Sequence, residues 1–237
     1  YDTVTSIDLN TKNLTTDFNF LDDFRNLMNL YLWNNNITSL NIDNNLNLKI
    51  LFCFNNNLST LNIYNNNLLE SVRVEQNNLT VLDTSQLVNL ISLQCYLNNI
   101  SSLNLTNSLA LNSLLCFSNN LSDINIINNI LLETLRIENN NITSLDIDNN
   151  SNLKIVRLQN NNISNLNILN NTLLTYLSCD NNQLDAAVNS QLLVDLDSHN
   201  RSNGYFRSSI YAGGTLTAAG TTAKNALLAK GWTIVGL

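Results

Sequence analysis

The chain repeats itself every 21 residues, and no other feature limits its possible folds as much. Leu27, Leu48, Leu69, Leu90, Leu111, Leu132, Leu153 and Leu174 follow one another without slippage. Each opens the phrase Leu-x-x-Leu-x-Leu-x-x-Asn-x-Leu, with other apolar residues replacing some of the leucines. A unit this short cannot bury its apolar face alone, so successive units must stack and cover one another. Each coil then contacts only its neighbours, which predicts one elongated domain rather than a sphere.

Counting positions from that first leucine, positions one, four and six are apolar, as in Leu27, Leu30 and Leu32. Positions four and six alternate with polar or variable residues, the period of a half-buried strand. Stacking sets these strands side by side, parallel and about 4.8 Å apart. Position nine is asparagine in all eight copies: Asn35, Asn56, Asn77, Asn98, Asn119, Asn140, Asn161 and Asn182. Here the chain must turn away from the strand. Asparagine tolerates the backbone angles of such turns, and its amide can bond its own coil and the next. The second half of each copy repeats the first, with apolar residues at positions eleven, fourteen and sixteen (Ile37, Leu40, Ile42). Asparagine often follows at position nineteen, as in Asn45, Asn66, Asn129, Asn150 and Asn171.

This phrase resembles the leucine-rich repeat family. The nested half-repeat is similar to the 21-residue class called IRREKO among bacterial leucine-rich repeats. The resemblance implies a mostly β, parallel-strand solenoid, curved and right-handed, with short strands rather than helices on its convex side. It also implies a secreted or surface-attached bacterial protein, and Tyr1 in place of Met suggests that a leader or vector sequence has been removed.

Residues 27–184 form the eight repeats, and residues 1–26 precede them as an imperfect opening copy. In that copy Val4, Ile7, Leu9 and Leu14 keep the apolar pattern, but Lys12 stands where the asparagine belongs. The segment DFNFLDDF supplies Phe18, Phe20 and Phe24, the bulk that an open end coil needs. Residues 185–237 change character, with all six glycines at or after Gly204. Val188, Leu192 and Leu196 predict a helix over about 186–198. A strand is expected around Phe206, a second helix over about 218–230 ended by Gly231, and a last strand over 232–235. The segment LTAAGTTAKNALLAKGWTI is similar to the closing segments of flavobacterial secreted leucine-rich repeat proteins. That resemblance implies a small α/β C-terminal cap.

Composition narrows the function. Asparagine supplies 51 of the 237 residues, while charged residues make up only 12% and the net charge is −7. No basic stripe exists to neutralise phosphates, which argues against nucleic acid or an anionic membrane as partner. No apolar run approaches the length of a membrane span. Cys53, Cys95, Cys116 and Cys179 all occupy position six and are expected to be free, core-facing thiols. Cys95 and Cys116 lie in adjacent coils, near enough for a bridge. Neither cofactor nor metal is expected, since no metal-ligand spacing is visible. His199 sits in a polar loop with no Cys or Ser placed to form a triad, and no acidic pair faces another across a cleft. The chain reads as a non-enzyme. The Asn-x-Ser/Thr triplets, such as Asn36-Ile37-Thr38, read as by-products of the period rather than glycosylation sites.

The positions that vary carry the functional information. On each expected concave strand, positions three, five and seven should face solvent. Position five reads Tyr31, Phe52, Arg73, Gln94, Leu115, Arg136, Arg157 and Ser178. Position seven reads Trp33, Phe54, Glu75, Tyr96, Phe117, Glu138, Gln159 and Asp180. Aromatic residues in neighbouring coils could simply stack as cross-strand pairs. An apolar patch rimmed by charge is also the usual mark of an interaction surface, and Trp, Tyr and Arg are typical anchors. The leading expectation is a monomeric extracellular module that binds a protein partner on the concave face. The alternative is a polysaccharide ligand stacked on the aromatics. A third reading is ice binding by the hydroxyl row Thr38, Ser59, Thr80, Ser101, Ser122, Thr143 and Ser164 at position twelve.

Overall fold

A computed structural model describes residues 3–15 and 18–237. The reading of Tyr1 as a processed end, and Asp17 at the head of DFNFLDDF, fall outside the described residues. The chain divides into two compact units, one ending at Leu121 and one beginning at Ser122.

The first unit carries β1 (Ser6–Asp8), β2 (Asn29–Tyr31), β3 (Ile50–Phe52), β4 (Ser71–Arg73), β5 (Ser92–Gln94) and β6 (Ser113–Leu115). All pair in parallel and in chain order. The register steps from Leu30 to Leu51 to Val72, the sequence period itself. Each of β2 to β6 is three residues long with its middle residue buried and its flanks half-buried. The middle residue is position four. Positions one and six lie beneath the chain on either side of it, so Leu27, Leu30 and Leu32 are fully buried. Covering one such leucine stabilises by about 2 kcal/mol, and every coil supplies three positions of this kind. Before β2, a short 3-10 helix spans Asn19–Asp23. Phe18 is buried there, while Phe20 remains exposed and packs edge-on against Phe24.

The second unit carries β7 (Thr134–Arg136), β8 (Ile155–Arg157) and β9 (Tyr176–Ser178), followed by the C-terminal elements. Helix α1 (Ala186–Ser198) begins at Asp185, whose carboxylate accepts the Val188 N–H at 2.8 Å. Strand β10 (Tyr205–Arg207) then pairs in parallel with β9. Helix α2 (Ala218–Ala229) is capped by the Thr217 hydroxyl and packs on α1. The packing is close where Gly220 meets Ser190: a Cβ on Gly220 would stand 2.6 Å from the Ser190 Cβ. Strand β11 (Thr233–Val235) pairs with β10. The closing segment therefore continues the strand row for two further turns, with a helix where the repeats have their second half.

The asparagines at position nine bond as the sequence leads one to expect. Asn56 Nδ2 donates to Cys53 O of its own coil at 3.0 Å and to Leu32 O of the preceding coil at 2.9 Å. Its Oδ1 accepts the Ile37 N–H at 3.0 Å. The same set recurs at Asn77, Asn98 and Asn119, and in the second unit at Asn161 and Asn182. In the opening coil Lys12 lacks this amide, and Asn35 supplies the acceptor for both the Lys12 and Leu14 N–H groups.

Two expectations need correction. The left-handed residue of the turn is position eight, one place before the ladder asparagine. Asn34, Asn55, Gln76, Leu97 and Ser118 all have φ between 53° and 56°, a conformation that Asn adopts more readily than Leu or Gln. The second half of the repeat also forms no strand among the described residues. Its backbone makes isolated bonds to the preceding coil, such as Asn57 N–H to Ile37 O at 2.9 Å, and a strand requires a succession of them. Turns around positions seventeen to twenty-one take the place of a second ladder.

Candidate functional site

Positions five and seven present their side chains on one face of the strand row, on the side away from the leucine core. In the first unit this face holds a connected cluster. Tyr31 meets Phe52 and Trp33 edge-on, with ring centroids 5.5 and 5.6 Å apart. Trp33 and Phe54 are stacked, with centroids 5.6 Å apart and planes 2° from parallel. The Arg73 guanidinium packs over Phe54 at 4.1 Å and Phe52 at 5.5 Å, an attraction of cation to ring face. Two coils on, Tyr96 and Phe117 stack at 4.2 Å. These rings are half-buried against one another rather than fully exposed.

The acids of position seven depart furthest from expectation. Glu75 is completely buried, Glu138 is 2% exposed and Asp180 is 6% exposed, although an alternating strand would place all three in solvent. The reason is an arginine folded over each of them. Arg73 Nε donates to Glu75 Oε1 at 2.9 Å, and Arg73 Nη2 reaches the same oxygen. Arg136 covers Glu138 in the same manner, with Nε to Oε1 at 2.9 Å. Asp180 takes its arginine from the cap: Arg207 Nε stands 3.0 Å from Oδ2, and the Ser178 hydroxyl donates to Oδ1 at 3.0 Å. Burial raises the Glu75 pKa above the ordinary carboxylate value, and the Arg73 hydrogen bond opposes that shift without cancelling it. Arg157 has no such acid. Position seven of its coil is Gln159, and its guanidinium packs over the Tyr176 ring at 4.7 Å.

Sequence reading therefore named the columns that share this face but not the pairs within them. It missed Tyr176 and Tyr205, which stack at 4.6 Å beside Arg157, and it missed Arg207. Tyr176 was legible as a position-three residue. Arg207 was not, because it lies beyond the repeats.

Other candidates bring little together. The four cysteines are free and buried. Burial pushes the Cys179 thiol up to about 12 and raises Cys53 and Cys95 as well, which suppresses the reactive thiolate. His199 is half-buried, with Nε2 3.3 Å from Leu169 O, and burial lowers its pKa. An open groove of about 840 Å³ in the first unit is lined by Ser59, Thr60, Thr80 and Asp83, among others. Its Asp43 and Asp83 already accept bonds from Asn62 and the Ser85 N–H. Among the described residues no group of three or more His, Cys, Asp or Glu could hold a metal ion. No described helix is long and apolar enough to cross a membrane.

No protein-family model and no curated protein matches the sequence. Solved structures do. The functional domain of InlJ from Listeria monocytogenes, which includes a cysteine ladder, matches 99% of this chain at 21% identity with a TM-score of 0.62. An internalin, InlF, from the same species matches 92% at 22% identity and a TM-score of 0.67. The fold is a leucine-rich-repeat solenoid. A third likeness is the leucine-rich-repeat ectodomain of the Arabidopsis thaliana receptor kinase GASSHO1/SCHENGEN3, solved in complex with Casparian strip integrity factor 2. It covers 86% of this chain at 20% identity with a TM-score of 0.60. The present solenoid spans 60% of the InlJ chain, 76% of the InlF chain and 30% of the plant ectodomain.

Proposed function

We propose that this solenoid is a non-catalytic binding module, secreted or displayed on a bacterial surface. It engages a protein partner, as a monomer, through the strand face that carries positions five and seven. The observation that carries this reading is the cluster around Arg73. Its guanidinium is fixed from below by a fully buried carboxylate and from the side by Phe52 and Phe54. A side chain held in this way loses little freedom when a partner arrives, and arginine beside aromatic rings is a common composition of interface anchors. The likeness to internalins, and to a plant ectodomain crystallised with Casparian strip integrity factor 2, supports the same reading.

A polysaccharide would need open ring faces on which to stack. Here Trp33 and Phe54 lie face to face, as do Tyr96 and Phe117, so much of each face is already occupied. The hydroxyl row at position twelve is exposed throughout. It lies in the half of the coil that forms no strand, so no sheet imposes the regular spacing that an ice lattice would demand.

Peptides selected from a displayed random library against the full chain test the proposal. Their affinity should fall at least tenfold for Trp33→Ala/Phe54→Ala and remain unchanged for Tyr64→Ala, an exposed tyrosine in the turn half. The double variant is expected to lose about 1 kcal/mol of stability with the aromatic pair, too little to unfold a domain. Equal affinity for all three proteins would sink the proposal. So would a library without binders together with a glycan array on which only polysaccharides are retained.

A further inference from the structure

Along the strand face of the second unit, position five and its continuation read Arg136, Arg157, Ser178 and Arg207, in direct register across β7 to β10. Arg136 is paired with Glu138 and Arg207 with Asp180. Arg157 alone of the three has no acid and, among the described residues, no side-chain hydrogen bond. Its Nε is buried without a partner, and so is Oε1 of Gln159. The arginine is nevertheless held in place, because its guanidinium caps the stack of Tyr176 on Tyr205. Its terminal nitrogens are not among the buried unpaired atoms, so solvent reaches them. Three guanidiniums against two carboxylates leave one positive charge on this row, in a chain whose net charge is −7. The distant acids count for little, since exposed charges are screened beyond about 8 Å at physiological salt.

We infer that this row binds the carboxylate of an acidic peptide segment, with Arg157 receiving it and the Tyr176–Tyr205 stack orienting the guanidinium. The assignment rests on the binding reading above and names the chemistry of the partner at one place. A guanidinium offers two parallel N–H donors that fit the two oxygens of a carboxylate. In the coils of Arg73 and Arg136 a glutamate of the same coil already fills that role. In the coil of Arg157 a glutamine replaces it, and the place is left to a partner. The flanking guanidiniums disfavour a basic ligand, and the tyrosine rings beside the site suit the aliphatic stem of Glu better than a bare ion.

The test uses the full chain labelled with ¹⁵N and follows the arginine Nε–Hε resonances by NMR. The probes are acetyl-triglutamate amide, the matching triglutamine peptide and inorganic phosphate. Triglutamate should shift the Arg157 resonance saturably and leave that of Arg73 in place, while triglutamine should bind at least tenfold more weakly. Gln159→Glu, which installs the acid found in the other two coils, should weaken triglutamate at least tenfold. Arg157→Gln, checked for an unchanged fold by its backbone spectrum, should abolish the binding. Triglutamine acting as strongly as triglutamate, or Gln159→Glu leaving the affinity unchanged, would overturn the inference. Phosphate that competes at lower concentration than triglutamate would overturn the carboxylate assignment. Library peptides that still depend on Trp33 and Phe54 while triglutamate fails at Arg157 would leave the broader binding reading intact and remove only this one.

Discussion

The two asparagine columns occupy the two halves of each coil, look alike in sequence and bond differently. At position nine every polar atom of the amide is used. Asn77 Oδ1 is the partner of the Leu58 N–H, and Nδ2 serves Cys53 O and Val74 O. At position nineteen only half of the amide is used. Asn66 Nδ2 donates to Ile42 O and Asn45 O, both of which already accept backbone N–H groups, while its Oδ1 is buried without a partner. The first column supplies bonds that nothing else in the coil can make. The second adds to bonds already present. That difference accounts for the sequence: position nine never varies, whereas position nineteen becomes Leu87 in one copy and Ser108 in the next. Both replacements are fully buried, and the Ser108 hydroxyl finds Leu87 O at 3.0 Å.

The comparison can be broken most directly by Asn77→Ala. It strands the Leu58 N–H in the interior and removes every bond donated by Nδ2, so unfolding in denaturant should show a loss of roughly 2–3 kcal/mol. A loss under about 1 kcal/mol would mean that water replaces the amide and that the columns do not differ as argued. Asn66→Leu, which copies the natural Leu87, should cost less than about 1 kcal/mol, because the bonds it removes are supplementary and the orphaned oxygen disappears. If it costs as much as Asn77→Ala, the second column is as essential as the first. The smallest effect is a slope rather than an offset. The folded pKa of Glu75 is raised by burial, so its protonated form favours folding. That contribution is complete below the unfolded pKa and fades as pH rises through the folded value. Between pH 7 and pH 5 the wild type should therefore gain stability relative to Glu75→Gln. Parallel stability curves for the two proteins would show that the buried carboxylate does not titrate in this window.

Much of the fold was legible because the strongest signals were local or periodic. The α1 helix was expected over 186–198 and spans Ala186–Ser198, and α2 was expected over 218–230 and spans Ala218–Ala229. Apolar residues at helical spacing, the cap residues Asp185 and Thr217, and Gly231 at φ +83° fix those limits. The missing strands of the second half show where periodicity ran out. Ile37, Leu40 and Ile42 have the same spacing as the strand leucines, but pattern alone does not say whether neighbouring backbones meet. For the candidate face, the residue types were legible in the sequence and their pairing was not. Alternation along one strand assigns Glu75 to solvent, and only the side chain two residues earlier turns it inward. For Asp180 the decisive side chain, Arg207, comes from a segment with no repeat at all.

The left-handed residues and ladder amides recur with constant offsets: from Asn56 to Asn119 each amide reaches a carbonyl 24 residues back and an N–H 19 residues back. A duplication or loss of one whole repeat gives every amide an equivalent partner, whereas a coil of another length needs a different set, as Asn35 finds in the opening copy at offsets of 21, 23 and 26 residues. Since each coil answers only to its neighbours, recombination in units of 21 residues preserves every one of these bonds. The gene for such a chain can lengthen or shorten its strand face by copying errors alone, each new coil bringing its own side chains at positions five and seven.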